Sequence, residues 1–519
     1  MAGREGMKIL LITTMSAHHL VREVIKEADL RGHEVHVFVS SAQVAPLATV
    51  ESIVEEIRSR GVDLSGYDLV IFPGLIRGSA SAFTEAFGVR AIKGTKFIGD
   101  LPELIAVLDE GVSLSTEEPA DEIIRRHRVV DYERRLEEVV KGKKPVFRLG
   151  ETPIYLRPPP AVLIYEYMIR VEGDPSLLAE RLRKYGYGGV VVGCEAECRE
   201  IGVLEVLAAV ESFRNAGLFV GVDIPFNYSS LRDVLMEADL VMNVSGDDLD
   251  SIGGLIPSGA GVVLIPKSVW DTEAVLGSLM YGVRKAEELG ITKVIIDPLV
   301  RPPMLGLSES IEVFRKAGNE FKNPLMFGLS NVYELIDADS PGVIALLTTL
   351  AFEVGASILL VTQSSNKARG ALKEASIARD LAAYAYLRRS PPISSGVDLL
   401  ILKDKSDKTV PPPELASVES VRVEALIPIR MDEKYFLKIY VDRVRKDIVV
   451  DVADASSGRI LKRFRGRDPL PLGRAVLREY PLSRDHAMYL GSELLKASIA
   501  LKLGKTYIQD AELFSFTYE

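Results

Sequence analysis

The chain has 519 residues, 47% of them hydrophobic and 26% charged, with a formal net charge of −10. This make-up belongs to a globular protein with a substantial core and excludes a disordered chain. The acidic balance leaves no basic stripe to neutralise nucleic-acid phosphates. Apolar runs of roughly six to eight residues fall far short of the ~20 needed to span a bilayer, and the polar start of the chain has no apolar leader core. A cytoplasmic protein with no nucleic-acid and no membrane partner is therefore expected.

From the start, short apolar runs at 7–12, 33–40, 67–74 and 95–100 alternate with helix-period stretches. Such alternation predicts a parallel sheet with helices packed on it, a Rossmann- or flavodoxin-like domain. It fills the first part of residues 1–150, and the charged segment 113–150 forms a helical extension. Within it, Gly74, Arg77, Gly78 and Ser79 follow a strand and could cradle an anion at a helix N-terminus, although glycine-rich turns after strands also arise for geometric reasons alone. His18 and His19 read as a loop pair. The prolines 158–160 mark a boundary, since consecutive prolines neither continue a helix nor donate to a sheet.

Beyond that boundary the alternation becomes regular. Strands are predicted at 161–168, 189–193, 218–222, 239–244, 261–265, 292–297, 324–329 and 357–361, with helical stretches between them and a last one at 366–387. Eight evenly spaced units over residues 160–390 fit a closed (β/α)8 TIM barrel better than an open doubly wound sheet. Proline-rich sequence at 391–420 leads out of the barrel. Period-two alternation over 421–455 and an amphipathic helix at 486–504 ending at Gly504 predict a small α+β domain at 415–519.

Functional groups of such a barrel gather at the C-terminal ends of its strands. These ends supply Tyr165 and Glu166, Cys194 and Glu195, Asp223, Asn243, Lys267, Asp297, Asn331 and the run from Thr362 to Ser365. Two aspartates and an asparagine after strands 3, 4 and 6 suit the 2-amino-4-oxo edge of a pterin. A carboxylate accepts from the 2-amino group and N3–H together, and an amide both gives and receives beside them. Each could instead cap the next helix. Cys194 and Cys198 are expected to be ordinary packed thiols; even with Glu195 and Glu197 nearby, two thiols do not complete a tetrahedral metal site.

In order, GVDIP (221–225), MNVSG (242–246), IIDPLVRP (295–302), MFGLSNVYE (326–334) and GASILLV (355–361) resemble the pterin-binding family. That family includes dihydropteroate synthase and the methyl-tetrahydropterin:corrinoid methyltransferases. The whole chain resembles archaeal proteins described as dihydropteroate synthase-related, and its closing stretch, DHAMYLGSELLKASIALKLGKTYIQD, resembles a module found in proteins associated with tetrahydromethanopterin. The resemblance implies that Asp223, Asn243, Asp297 and Asn331 bind the pterin. It implies a transferase of folate or tetrahydromethanopterin biosynthesis, which condenses a pterin-methyl diphosphate with an arylamine. Lys267, Arg301, Lys367 and Arg369 would meet the diphosphate, with Mg²⁺ as its possible companion, and the protein would be a homodimer.

The chain departs from the synthases in three places. Asn331 and Val332 stand where they carry a lysine motif. Thr362, Gln363 and Ser364 stand where they carry an Arg-x-His, and Tyr165, Glu166 and Tyr167 replace their Asn-Val-Thr-Pro-Asp-Ser loop. GLSNV and DPLVRP are closer to the methyltransferases, in which Asn331 would bond the pterin near N5 and a partner would bring the corrinoid. A non-catalytic pterin-binding scaffold is the third possibility.

Overall fold

The computed structural model describes residues 6–194, 201–389, 391–393, 396–404, 421–423 and 431–514. The chain divides into two compact units, Met1–Pro412 and Pro413–Glu519.

The first unit opens with β1 (Lys8–Thr13), β2 (Glu34–Val39), β3 (Leu69–Phe72) and β4 (Ala91–Lys93), all parallel, in the order β2-β1-β3-β4. Successive residues of β1 and β3 point to opposite faces. Leu10, Ile12, Val70 and Phe72 pack against the helices at Val50–Ser59 and Ser81–Phe87. Ile9, Leu11, Leu69 and Ile71 pack against those at His18–Glu27 and Leu101–Asp109. Covering both faces explains why the strands read as continuous apolar runs. The fourth strand is AIK at 91–93, and the expected strand at 95–100 does not form. There Thr95 bonds the Phe97 carbonyl, and Ile98–Asp100 makes a 3₁₀ turn feeding the next helix, whose early Pro102 suits its first turn. His18 and His19 open a helix rather than lie in a loop. The charged segment forms the helix Ala120–Lys141, which sets Tyr132 against Tyr384, ring centroids 5.5 Å apart.

A short antiparallel pair follows, β5 (Phe147–Leu149) and β6 (Thr152–Ile154). Then come β7 (Val162–Met168), β8 (Gly189–Gly193), β9 (Phe219–Asp223), β10 (Leu240–Val244), β11 (Gly261–Leu264), β12 (Val294–Ile296), β13 (Met326–Gly328) and β14 (Ile358–Val361). They form one parallel sheet in the order β12-β11-β10-β9-β8-β7-β14-β13. The two edges meet: Ile296 N–H donates to the Pro324 carbonyl at 3.0 Å, and Ile296 bridges Leu325. The sheet is a closed barrel ringed by helices, as its regular alternation predicts.

Lumen and exterior separate by residue parity. Ile164, Val191, Phe219, Leu240, Val263, Ile295, Met326 and Ile358 pack inside with Leu149 and Ile154 of the β5–β6 hairpin, which plugs the floor. Their neighbours Leu163, Val190, Val220, Val241, Val262, Val294, Phe327 and Leu359 face the helices. Phe219 fits only because Gly189 lies beside it; a Cβ there would come within 2.4 Å of the ring. Arg157 secures the floor from below, donating to the carbonyls of Asn323, Phe321 and Gly318 at the C-terminal end of the helix Leu307–Glu320.

The second unit has an antiparallel sheet, β15 (Tyr435–Asp442), β16 (Asp447–Asp454) and β17 (Ile460–Gly466), in that order. Helices Pro469–Glu479 and Arg484–Leu503 cover one face through Leu472, Val476, Leu490 and Leu494. Gly504, at φ 74°, ends the last helix as expected. β17 and the first of these helices are additions to the sequence reading. ILKRFRG keeps most of its side chains in solvent, so it lacks an apolar stripe to reveal it. Residues 424–430 of the predicted hairpin region lie outside the described residues.

Ile154, fully buried in the floor plug, gives a direct test of this architecture. Ile154→Ala should destabilise the barrel by about 2–5 kcal/mol, read as a lower denaturant midpoint with little change in slope.

Candidate functional site

One layer of the lumen is polar, and it lies at the C-terminal ends of the strands. Continuing the parity of β7 from Ile164 puts Glu166 inside, and that of β9 from Phe219 puts Asp223 inside. The same step from Ile295 and Leu360 brings in Asp297 and Thr362. Gly193 and Gly328 occupy this level on β8 and β13 and contribute no side chains.

Asn243 reaches the layer by a different route. Met242 faces the lumen and Val244 the exterior, so simple alternation cannot accommodate the residue between them. The register against β11 shifts between Val241 and Val244, and Asn243 takes a left-handed φ of 54°. Asparagine tolerates that backbone better than most residues. The bulge re-aims its side chain, and Nδ2 donates to Asp223 Oδ2 at 2.6 Å. Neither residue caps a helix. Ser245 and Asp248 cap each other in the loop after β10, and the helix after β9 starts only at Leu231.

Asp297 is buried, at 3% exposure. Its Oδ1 accepts the Leu299 N–H at 2.8 Å across a loop in which Leu299 also has a left-handed φ of 67°. Burial raises its carboxyl to about 7, against that one hydrogen bond. Burial, then the charge of Asp223, then that of Glu172, raises Glu166 to about 7. Burial also raises Asp223, opposed by the Asn243 amide. None of the three carboxyls forms an ion pair among the described residues. A layer rich in acceptors and poor in cations is suited to a neutral ligand that brings N–H donors.

Asn331 stands at the edge of this layer. Its Nδ2 donates to the Val300 carbonyl at 3.2 Å, and a Cβ on Gly328 would lie 3.0 Å from that amide nitrogen. The four basic candidates are spread over the loops around the mouth. Lys267 pairs with Asp247 at 2.5 Å and Lys367 with Asp337 at 2.9 Å, both in solvent-facing pairs. Arg369 bonds the Asn366 side chain. Arg301 is largely covered, with its guanidinium 5.8 Å from the exposed Trp270 ring and its Nε without a partner. The structure thus unites Asp223, Asn243 and Asp297 in one layer and leaves the cations apart. Glu166, which the pterin pattern does not single out, belongs to that layer; the alternation of β7 was the signal that could have found it.

Two expectations are corrected. Arg77 donates to the Leu47 carbonyl, Ser79 bonds Ser81, and the Glu51 carboxylate lies 3.0 Å from where a Gly78 Cβ would be. A carboxylate in that position repels an anion, so the turn is no phosphate cradle. Cys194 is disulfide-bonded rather than a free packed thiol; Glu195, Glu197 and Cys198 lie outside the described residues. Among the described residues no group of three or more His, Cys, Asp or Glu side chains could hold a metal ion, and no helix is long and apolar enough to cross a membrane.

Fold and layer together define a (β/α)8 barrel with a layer of hydrogen-bond acceptors at its strand ends. Residues 431–510 match the family model PterinBD-DUF4346. Over 98% of its length the chain is 31% identical to the uncharacterized protein MJ0107 of Methanocaldococcus jannaschii, all of which is covered. The chain therefore belongs to the family of that protein.

Among solved structures, the 7,8-dihydropteroate synthase of Vibrio fischeri is 17% identical, covering 44% of this chain and 94% of its own, with a TM-score of 0.33. A truncated 3-deoxy-D-arabino-heptulosonate 7-phosphate synthase of Thermotoga maritima is 18% identical, covering 46% and 88%, with a TM-score of 0.32. Two different synthases at the same distance bear on neither residues nor reaction.

The raised carboxyl of Asp297 has a consequence for stability. The native state holds its proton up to about pH 7, whereas the unfolded chain releases it near 4. The native state thus binds more protons in between, and stability falls as pH rises through that window. Asp297→Asn should remove this loss. We expect the variant to melt at least about 3 °C above the parent at pH 8 and close to it at about pH 4, by calorimetry without ligand.

Proposed function

We propose that this protein binds a pterin in the barrel mouth and condenses its methyl diphosphate with an arylamine, as a dihydropteroate synthase does. The observation that carries this reading is the lumen layer of Asp223, Asn243 and Asp297 without an ion-paired cation. The 2-amino group and N3–H of the pterin are donors that a buried carboxylate can take together, with Asp297 in that role. Asn243, already fixed by Asp223, meets the neighbouring edge. Asn331 approaches from the loop beside Gly328.

In the reaction the methylene C–O bond breaks and diphosphate departs with the electron pair. The arylamine nitrogen then forms the C–N bond and releases a proton. Holding the ring edge-on in a partly desolvated mouth fixes the methylene for attack. Lys267, Lys367, Arg369 and Arg301 surround the mouth and can meet the departing charge. The pairs of Lys267 and Lys367 face solvent, which screens them, so exchanging Asp247 or Asp337 for a diphosphate costs little. With no carboxylate group of three to hold it among the described residues, Mg²⁺ would enter as the companion of the diphosphate substrate.

Incubation with pterin-methyl diphosphate, Mg²⁺ and p-aminobenzoate should release diphosphate and yield the condensed pterin. Asp297→Ala should weaken dihydropterin binding by at least about 100-fold in calorimetry, because it leaves two ligand donors unpaired. Tight binding without any diphosphate release would rule out the condensation. Unchanged affinity of Asp297→Ala would rule out the pterin pose.

A further inference from the structure

Glu166 is the one carboxyl of the lumen layer that neither the pterin pattern nor the pose above uses. Its position follows from parity on β7, one step beyond the lumen-facing Ile164. β8 runs between it and Asp223, with Val191 in register with Glu166 and the side-chain-free Gly193 in register with Asp223. Among the described residues the Glu166 carboxyl has no hydrogen-bond or ion-pair partner; the Thr362 hydroxyl donates to its backbone carbonyl instead. Asp223, by contrast, is held by Asn243, and Asp297 by the Leu299 N–H. A partly buried carboxylate without a donor is costly unless a ligand supplies one.

The strand order indicates which part of the ligand could do so. Around the barrel the layer runs Asp297, Asn243, Asp223, Gly193, Glu166. With the pyrimidine edge at Asp297 and Asn243, Glu166 stands against the other, pyrazine ring. In a dihydropterin that ring carries an N–H at N8, and a tetrahydropterin adds one at N5. In a fully oxidised pterin both nitrogens present lone pairs, which a carboxylate repels. We propose that Glu166 is a specificity-determining residue that selects reduced pterins over oxidised ones by accepting a pyrazine N–H. This rests on the pterin-binding reading and does not require the condensation.

The test is calorimetric titration at pH 7.5 with 6-hydroxymethyl-7,8-dihydropterin and with fully oxidised 6-hydroxymethylpterin. The native protein should prefer the dihydro form by at least about 30-fold, the scale of one charge-assisted hydrogen bond. In Glu166→Gln the amide can turn either its oxygen or its N–H to the ring, so the preference should fall below about 3-fold while the oxidised form still binds. An unchanged preference in Glu166→Gln would overturn the assignment. So would an equal loss for both ligands, which marks Glu166 as general support, or a native protein binding both forms alike. Binding of neither form by the native protein would overturn the pterin reading itself, and this proposal with it.

Discussion

Alternation along eight closed parallel strands is the constraint on which everything at the barrel mouth depends. Each strand must give every second side chain to the lumen, and the lower lumen is filled by Ile164, Val191, Phe219, Met326 and their neighbours over the hairpin plug. The next inward positions, one layer up, are the first where a polar group can reach both protein and ligand. Glu166, Asp297 and Thr362 are there because the apolar residues two positions earlier are fixed in the core, and Asp223 because Phe219, four positions earlier, is.

Asn243 shows what happens when a functional group falls out of step. A regular strand would turn it outward after Met242. The register shift against β11 and a left-handed backbone bring it inward instead, where Asp223 takes its amide N–H. Backbone conformations of this kind cost free energy and concentrate at functional sites. The same holds for Leu299, whose turn delivers an N–H to the buried Asp297. Carboxyls raised toward neutrality by burial are likewise a stability cost that a ligand with N–H donors can offset.

The two halves of the proposed reaction are built differently. The pterin half is assembled in advance, with its residues locked to one another or to backbone. The leaving-group half consists of solvent-facing cations already paired with Asp247 and Asp337, plus the covered Arg301 beside Trp270. Such pairs exchange partners cheaply, so the cations can be drawn to a diphosphate when it arrives.

The sequence alone determined the barrel, because buried parallel strands and amphipathic helices each carry their own period, and eight repeats of it leave little choice. It also determined Asp223 and Asp297, whose places at strand ends follow from counting. The β17 strand, the course of residues 95–100 and the failed anion cradle were decided elsewhere. ILKRFRG has a solvated face that hides its period, TKFIGD is apolar enough to imitate a strand, and the turn at Gly78 receives Glu51 from a helix some 27 residues earlier in the chain. Only the tertiary structure could turn Asn243 against its own alternation and bring the charge of Asp223 to bear on Glu166, because both depend on neighbouring strands. Spacing within a segment records which face a residue takes, whereas the partner it meets on that face is supplied by another segment.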